Sequence, residues 1–151
     1  MIFESNSSIS EERLDEKTSK LPTIGERLRA VSQSVHRLYR DELSHKVSRV
    51  NCHMMSDKLV IWIEDSVTSV GRILYQQEKA DTQSLCSALQ KVVHQRVVDI
   101  IERDLDVKVI TLVSDTCYEK ECTGLIAWLS EHPAVREPKG VFKRRSQVAQ
   151  V

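Results

Sequence analysis

Leu59-Val-Ile-Trp-Ile63 and Val107-Lys-Val-Ile-Thr-Leu-Val113 decide the fold, and a long amphipathic segment separates them. The first stretch is apolar on both faces and rich in β-branched residues, which is typical of a strand covered on two sides. Residues 49 to 54 alternate polar and apolar side chains and predict a half-exposed strand just before it. We therefore expect an antiparallel hairpin. Its first strand should turn three residues toward the core, namely Val50, Cys52 and Met54.

Three helices are predicted around the strands. The first should begin at the capping box formed by Thr23 and Glu26 and end near residues 42 to 45. Ser66 or Thr68 can cap a shorter helix, and a long helix with a wide apolar face should run from about residue 82 to residue 105. The apolar stripe of the first helix, with 4-3-4-3 spacing, consists of Ile24, Leu28, Val31, Val35 and Leu38.

The last predicted strands are residues 107–113 and 124–129, joined by a loop over residues 114–123. The element order is then α-β-β-α-α-β-β. Four strands in antiparallel pairs with helices on one face make a two-layer α+β sandwich with a four-stranded, mainly antiparallel sheet. Such a sheet has two free edges, and pairing edges or helix faces across a two-fold axis would hide them, so we expect a homodimer.

Composition narrows the class of protein. A chain of 151 residues supports one hydrophobic core, and 40% apolar with 29% charged residues is ordinary for a globular protein. The 22 basic residues equal the 22 acidic ones, so the whole chain has no bulk attraction to nucleic acid or to an anionic membrane. We find no apolar run long enough to span a bilayer and no signal-peptide pattern, which predicts a cytoplasmic location without membrane insertion.

Charge separates the two ends of the chain from its centre. Residues 1–21 hold five acidic and three basic residues among many serines, and predict a disordered acidic leader. Residues 22–131 form the predicted domain. Residues 132–151 hold five basic residues and one acidic residue and predict a flexible basic tail, for which specific nucleic-acid binding is not expected. The candidate contact residues of this tail are Lys139, Lys143, Arg144 and Arg145.

The candidate ligand-binding residues are Asp115, Trp62 and Trp128. A carboxylate predicted at the end of an inner strand, next to Ser114 and Thr116, can hold a polar ligand or can bond backbone N–H groups of its own turn. The second role is the more common one. If a ligand binds, we expect a pocket between the sheet and the helices, lined by these residues and by cysteines.

Cys117 and Cys122 are redox candidates, because a disulfide that closes a short loop is geometrically possible. A zinc site that adds Cys52 and His53 is conceivable, but the spacing lacks the tightness of Cys-x-x-Cys, so no metal is predicted. Ordinary thiols in a reducing compartment are the default expectation.

No catalytic constellation is predicted. One can assemble Cys117, His94 or His132, and Asp115 on paper, but nothing in the sequence shows that these residues meet. The four glycines stand apart from one another, so no phosphate-cradling loop exists, and we predict neither a cofactor nor an enzyme.

The order of these segments resembles the bacterial MpsC-like family, named for a component of a sodium-translocating, membrane-potential-generating system. The resemblance covers about residues 24 to 131. It rests on Leu38-Tyr-Arg-Asp41, Asp57-Lys-Leu-Val-Ile-Trp-Ile-Glu64, Gln95-Arg-Val-Val-Asp99 and Asp106-Val-Lys-Val109 running to Ser114-Asp115. Two loops depart from the family pattern: residues 44–48 replace a Gly-Pro-rich loop, and residues 66–70 replace a Leu-Thr-Pro helix start.

The resemblance implies a small accessory protein associated with ion or inorganic-carbon uptake, without a site that can be transferred to particular residues. We therefore expect a non-catalytic regulatory or accessory module that acts through protein–protein interaction, with an unidentified partner that can be a membrane transport component. The alternative is a small-ligand, metal or redox sensor that binds between the sheet and the helices.

Overall fold

The computed structural model of the protein describes residues 8–77 and 79–137. Over these residues the chain forms four helices and four strands. From the second helix onward their order is α-β-β-α-α-β-β, as predicted. The elements are α1 Ser8–Ser19, α2 Ile24–Glu42, β1 Arg49–Met55, β2 Lys58–Glu64, α3 Ser69–Gln76, α4 Ala80–Leu105, β3 Val109–Cys117 and β4 Cys122–Leu129.

The strands form one antiparallel sheet in the order β1-β2-β4-β3. β2 lies inside the sheet, paired with β1 on one side and with β4 on the other. Its Leu59 stands opposite Met54 of β1 and Ala127 of β4, and residues opposite each other in an antiparallel pair project from the same face. The predicted four-stranded antiparallel sheet is confirmed.

A single hydrophobic layer fills the space between the helices and one face of the sheet, which we call the inner face. Leu59 and Ile61 of β2 are fully buried there, and so are Val35 of α2 and Ile101 of α4. These residues belong to one continuous cluster, against which Cys52 and Met54 of β1 also pack. The two-layer α+β architecture with helices on one side of the sheet is therefore confirmed.

The opposite face of the sheet, which we call the outer face, is open. Trp62 is 44% exposed, Val113 49% and Ile126 37%. The prediction that β2 is covered on both sides is wrong for the domain of residues 24–134, because the even-numbered side chains of β2 project away from α2 and α4. The register places these residues on the outer face: Arg49, Asn51, His53, Met55, Lys58, Val60, Trp62, Glu64, Thr111, Val113, Asp115, Cys117, Cys122, Gly124, Ile126 and Trp128.

The last hairpin is longer than predicted, since β3 and β4 continue until only residues 118–121 remain between them. Thr116 and Thr123 are opposite each other on the inner face, and their hydroxyls are 2.9 Å apart. β-Branched threonines suit a strand, and their hydrogen bond extends the ladder that the apolar pattern alone ended too early. Asp115 is consequently inside β3 and not at a strand end.

Helix α3 begins at one of the two predicted caps. Thr68 has an extended backbone, and its Oγ1 accepts a hydrogen bond of 3.0 Å from the backbone N–H of Gly71. This contact satisfies one of the free donors of the first turn. Ser66 does not cap the helix; it is buried, and its hydroxyl joins Thr123 of β4 instead.

Helix α1 forms a separate unit with its neighbouring residues. The sequence pattern predicts no helix here. Glu, Lys, Leu and Arg within Ser8–Ser19 are good helix formers, and this local preference does not require an apolar face. Lys20 also forms an exposed ion pair of 3.3 Å with Glu16, one turn earlier. The four candidate basic residues of the tail lie outside the described residues.

The end of α4 is tied to the start of β3 by one carboxylate. Glu102 accepts a 3.0 Å hydrogen bond from the backbone N–H of Val109 and another of 3.0 Å from Nζ of Lys108. The Val109 N–H, and then Lys108, lower the pKa of Glu102 from its usual value of 4.5. A carboxyl group whose pKa is lowered in the folded state stabilises the fold above its unfolded pKa.

We expect the stabilising contribution of Glu102 to disappear as the pH falls from its unfolded pKa through its lower folded pKa. Glu102→Gln should therefore flatten the dependence of unfolding free energy on pH below about pH 4.5. Urea unfolding of both proteins at a series of acidic pH values measures this. Glu119→Gln, in the exposed hairpin loop, is the control and should keep the wild-type slope. If Glu102→Gln keeps the wild-type dependence of unfolding free energy on pH, the hydrogen bonds of Glu102 do not contribute to that dependence.

Candidate functional site

The central row of the outer face brings two predicted ligand residues together. Trp62 stands opposite Gly124, and Gly124 stands opposite Asp115 on the next strand. A Cβ atom added at Gly124 would lie 3.2 Å from Cζ3 of Trp62, so the indole ring lies directly over the glycine. The absence of a side chain at residue 124 lets the ring lie low against the sheet and gives this face a flat aromatic centre.

The third predicted ligand residue, Trp128, is on the same face one strand from Lys58. The ammonium nitrogen of Lys58 is 5.5 Å from the centroid of the indole ring, a cation–π arrangement, and it also bonds Asp57 Oδ1 at 2.7 Å. All three residues therefore project away from the helices. The predicted pocket between sheet and helices does not contain them, and that placement was wrong.

A shallow groove of about 470 Å³ crosses the outer face beside Trp62 and Asp115, and Trp128 does not line it. Gly124 lies in the groove, and Val60, Val113 and Ile126 add to its apolar surface. Asp115 is the only ionisable carboxylate in its lining. Oδ1 of Asp115 accepts a hydrogen bond of 2.8 Å from the backbone N–H of Thr116, the local role that the sequence analysis considered the more common one. The groove is suited to apolar contact with a partner surface.

Cys117 and Cys122 are directly opposite each other where β3 and β4 enter their connecting loop. Both are free thiols; Cys117 is exposed and Cys122 is buried. Paired residues of antiparallel strands have Cα atoms about 4.5–5.5 Å apart, within the span that a disulfide accepts. The pairing therefore meets the distance requirement for a disulfide, and a redox role remains a prediction.

The structure does not assemble the conceivable zinc set. Cys52 is on the inner face of β1, and β2 separates that strand from Cys122. Among the described residues, no group of three or more His, Cys, Asp or Glu side chains is placed to hold a metal ion. The nucleophilic arrangement is not assembled either, because His94 lines a cavity on the inner side of the sheet whereas Cys117 belongs to the outer face.

The thiols should differ strongly in reactivity. Burial raises the pKa of Cys52 to about 12, and burial together with the neighbouring Cys117 thiol raises the pKa of Cys122. Because the thiolate is the nucleophile, a pKa raised by about three units lowers the reactive fraction of Cys52 roughly a thousandfold near neutral pH. Exposed Cys117 should therefore react with iodoacetamide first and Cys52 last.

Timed alkylation at pH 8, followed by peptide mass mapping, measures this order. The same reaction in denaturant is the control, since all four thiols should then react at similar rates. Labelling of Cys52 as fast as Cys117 in the native protein would mean that β1 opens readily or that Cys52 is not desolvated.

A second concave site lies on the inner side of the sheet, where α3, α4 and the β3–β4 hairpin meet. We call it the inner cavity; its volume is about 100 Å³. Its walls are largely apolar, with Val67 before α3, Val93 and Val97 on α4, and Leu125 on β4. Exposed Leu89 and Gln90 of α4 also line it and form its mouth.

Hydroxyl groups form one side of the inner cavity. Ser66 Oγ is 2.7 Å from Thr123 Oγ1, which is 2.9 Å from Thr116 Oγ1. Ser66 and Thr123 are both buried. Ser66 Oγ also donates to the carbonyl oxygen of Glu121 at 3.5 Å, at the outer limit of a hydrogen bond. The three side chains therefore form a continuous hydroxyl chain that ends at the cavity.

His94 of α4 faces this cavity as well. Its Nε2 atom is buried and has no hydrogen-bond partner among the described residues. Tyr39 of α2 adds a phenol, whose pKa burial raises to about 12, so that it is a neutral donor at physiological pH. A pocket between the sheet and the helices was predicted, but none of the residues predicted to line it does so; threonines at inner-facing positions 116 and 123 were a usable signal for the actual lining.

The hairpin loop that closes one end of the inner cavity is fastened to α3. Tyr118 stacks on Tyr75 with ring centroids 4.1 Å apart and planes 6° from parallel. Arg72 forms an ion pair with Glu121, and the backbone N–H of Ser66 donates to the carbonyl of Glu121 at 2.9 Å. These contacts hold the hydroxyl chain in a fixed position relative to α3.

The fold and its two concave sites define a class of protein: a two-layer α+β domain with an open sheet face and a small internal cavity. The chain belongs to the MpsC family, because residues 23–131 match the family described as Na+-translocating membrane potential-generating system (MpsC). The predicted resemblance is thus confirmed. No curated protein and no solved structure matches the chain. None of the described helices is both long enough and apolar enough to cross a membrane.

Proposed function

We propose that the protein is a non-catalytic accessory module that works through protein–protein association in an ion-transport system of the kind that its family description names. The observation that supports this most is the outer face, where a tryptophan and two aliphatic side chains on three neighbouring strands are 37–49% exposed. Contiguous exposed apolar surface on a folded domain marks an interaction site.

The sequence of β2 supports the same conclusion. Leu59 to Ile63 is apolar at every position, a pattern found in strands that are buried on both faces. Helices α2 and α4 pack on the inner face. A second protein surface would supply the missing cover on the outer face, with Trp62 as an aromatic anchor of the kind that dominates interface energies.

We infer that the first occupant of the outer face is a second copy of this chain. A two-fold axis between two stacked outer faces, parallel to the strands, would set β1 of one protomer over β3 of its partner. Across the sheet, Arg49 on β1 is level with Cys117 on β3, and Asp115 is only two residues away from Cys117. The same rotation would therefore bring these opposite charges close together twice in one dimer.

Native mass spectrometry and light scattering on the full chain, over a wide range of protein concentration, test this proposal. We expect a species of twice 17.3 kDa that grows with concentration. A monomer at every concentration would exclude the second copy as the occupant. The accessory role would then require that the wild-type protein captures a membrane transport component and that a variant of the outer face does not.

A second candidate function is supported by a separate observation. The inner cavity contains polar groups without a full set of partners, which favours a sensor for a small molecule. A redox sensor would instead use Cys117 and Cys122, whose direct pairing across two strands supports it. The same mass spectra test the redox alternative, since a disulfide removes two hydrogen atoms, and titration with small molecules tests the other.

A further inference from the structure

We propose that the inner cavity binds a small uncharged molecule that has an apolar body and one polar end, such as a short-chain alcohol, ketone or primary amide. The site is on the opposite side of the sheet from the outer face. It does not depend on the proposed association, and either idea can fail without the other. Four properties of the cavity define the ligand.

The first property is an imidazole nitrogen that lacks a partner. Nε2 of His94 is shielded from solvent, and no other described group bonds it. Buried polar atoms in native proteins nearly always have a partner, and each exception calls for an explanation such as a bound molecule. His94 is among the residues that line the cavity, so a rotation of its ring that turns Nε2 toward a bound hydroxyl, carbonyl or amide would supply the missing bond.

The second property is a hydroxyl chain that can reverse. If Ser66 donates to the Glu121 carbonyl, then Thr123 donates to Ser66 and Thr116 donates to Thr123, so lone pairs of Thr116 are left to accept a proton from a ligand. If Ser66 donates to Thr123 instead, Thr116 is left with a proton to donate. The chain can therefore receive either end of a ligand hydroxyl or amide.

The third property is a lining in which only His94 can carry a positive charge. None of the other lining residues is Asp, Glu, Lys or Arg. A cation among valine, leucine and hydroxyl groups would lose its hydration without gaining an ion pair, which is strongly unfavourable, and an anion would have only the His94 ring as a partner. A neutral ligand does not meet this cost, and the apolar walls favour one that carries methyl or methylene groups.

The fourth property is size. A volume of about 100 Å³ is close to that of three water molecules, and an engineered cavity of about 150 Å³ is sufficient for benzene. The ligand should thus contain about four or five non-hydrogen atoms. Molecules of this size bind with micromolar affinity at best, so millimolar affinity is expected. Access is provided at the mouth formed by Leu89 and Gln90.

Two-dimensional ¹H–¹⁵N NMR of the full chain, titrated separately with 2-propanol, acetone and acetamide, tests the proposal. We expect at least one of them to cause saturable shifts in the backbone amides of Gly71, Val97 and Thr116 and in the ring nitrogens of His94. Acetate and methylammonium are charged molecules of similar size and should cause no saturable shift. The ring spectrum also reports which nitrogen of His94 carries the proton.

Two variants separate binding from a solvent effect. His94→Leu removes the unpaired nitrogen, and Thr123→Val removes the middle of the hydroxyl chain with little change of shape. Each should weaken binding by about three- to tenfold, the usual effect of losing one hydrogen bond. His36→Leu on α2 is the matched control and should bind like wild type. Shifts that are linear, or equal in His94→Leu, would overturn the proposal. The absence of saturable shifts with all three probes would also overturn it.

Discussion

Replacing Leu59 with alanine should lower the free energy of unfolding by about 2–5 kcal/mol. Leu59 has no exposed surface and lies in the middle of β2, between Met54 and Ala127 on the neighbouring strands. Its removal leaves a cavity where the sheet meets the helices, and the strands on both sides prevent the backbone from closing it. A domain of this size has a total stability of about 5–15 kcal/mol, so this one change consumes a large part of it.

Leu85→Ala is the matched control, because it makes the same chemical change on α4 at a side chain that is 55% exposed. Its effect should be within about 0.5 kcal/mol of zero. Urea unfolding of both variants and of the wild type, at one protein concentration, measures the difference. Equal effects at the two positions would mean that the inner face does not carry the core.

The inner layer could be predicted because it depends on periodic patterns. Val50, Cys52 and Met54 alternate with polar residues, and the structure turns all three toward the core. The stripe of α2 likewise follows its 3.6-residue period, with Val31 and Val35 fully buried. Periodicity shows which side of a helix or strand is apolar. It therefore predicts the order of the helices and strands and the residues that form the inner face.

Periodicity could not show what covers the other side of β2. An apolar residue such as Trp62 has the same signature whether it is buried by the same chain or by another one. For this reason the sequence analysis placed Trp62, Trp128 and Asp115 in an internal pocket, whereas the register puts them together on the outer face. Strand pairing is a property of the folded chain, and no local pattern contains it.

The lining of the inner cavity could not be predicted, for a related reason. Its polar groups come from three distant parts of the chain: Ser66 before α3, His94 on α4, and the pair Thr116 and Thr123 on the last hairpin. None of these residues forms a recognisable local motif. The extension of β3 and β4 beyond their apolar runs brings the two threonines together, and that extension depends on cross-strand hydrogen bonding.

Replacing Trp62 with lysine should raise the dissociation constant of the expected dimer by at least about 30-fold, which corresponds to the loss of one interface anchor worth about 2 kcal/mol. The indole ring lies over Gly124 at the centre of the outer face, where it would be desolvated completely by a stacked partner. Lysine would place a charge at this point and leave the glycine uncovered. Sedimentation velocity over a concentration series measures the change.

A matched pair of isoleucines tests whether the outer face, and not apolar surface in general, drives association. Ile126 on β4 is 37% exposed and Ile73 on α3 is 57% exposed. If association depended on exposed apolar area alone, replacing Ile73 would therefore weaken the dimer more than replacing Ile126. If the outer face is the interface, Ile126→Lys should weaken the dimer at least about tenfold and Ile73→Lys should leave it unchanged. The reverse order would move the interface to α3. Unaltered thermal unfolding of the monomeric variants would show that the outer face contributes to association and little to the fold itself.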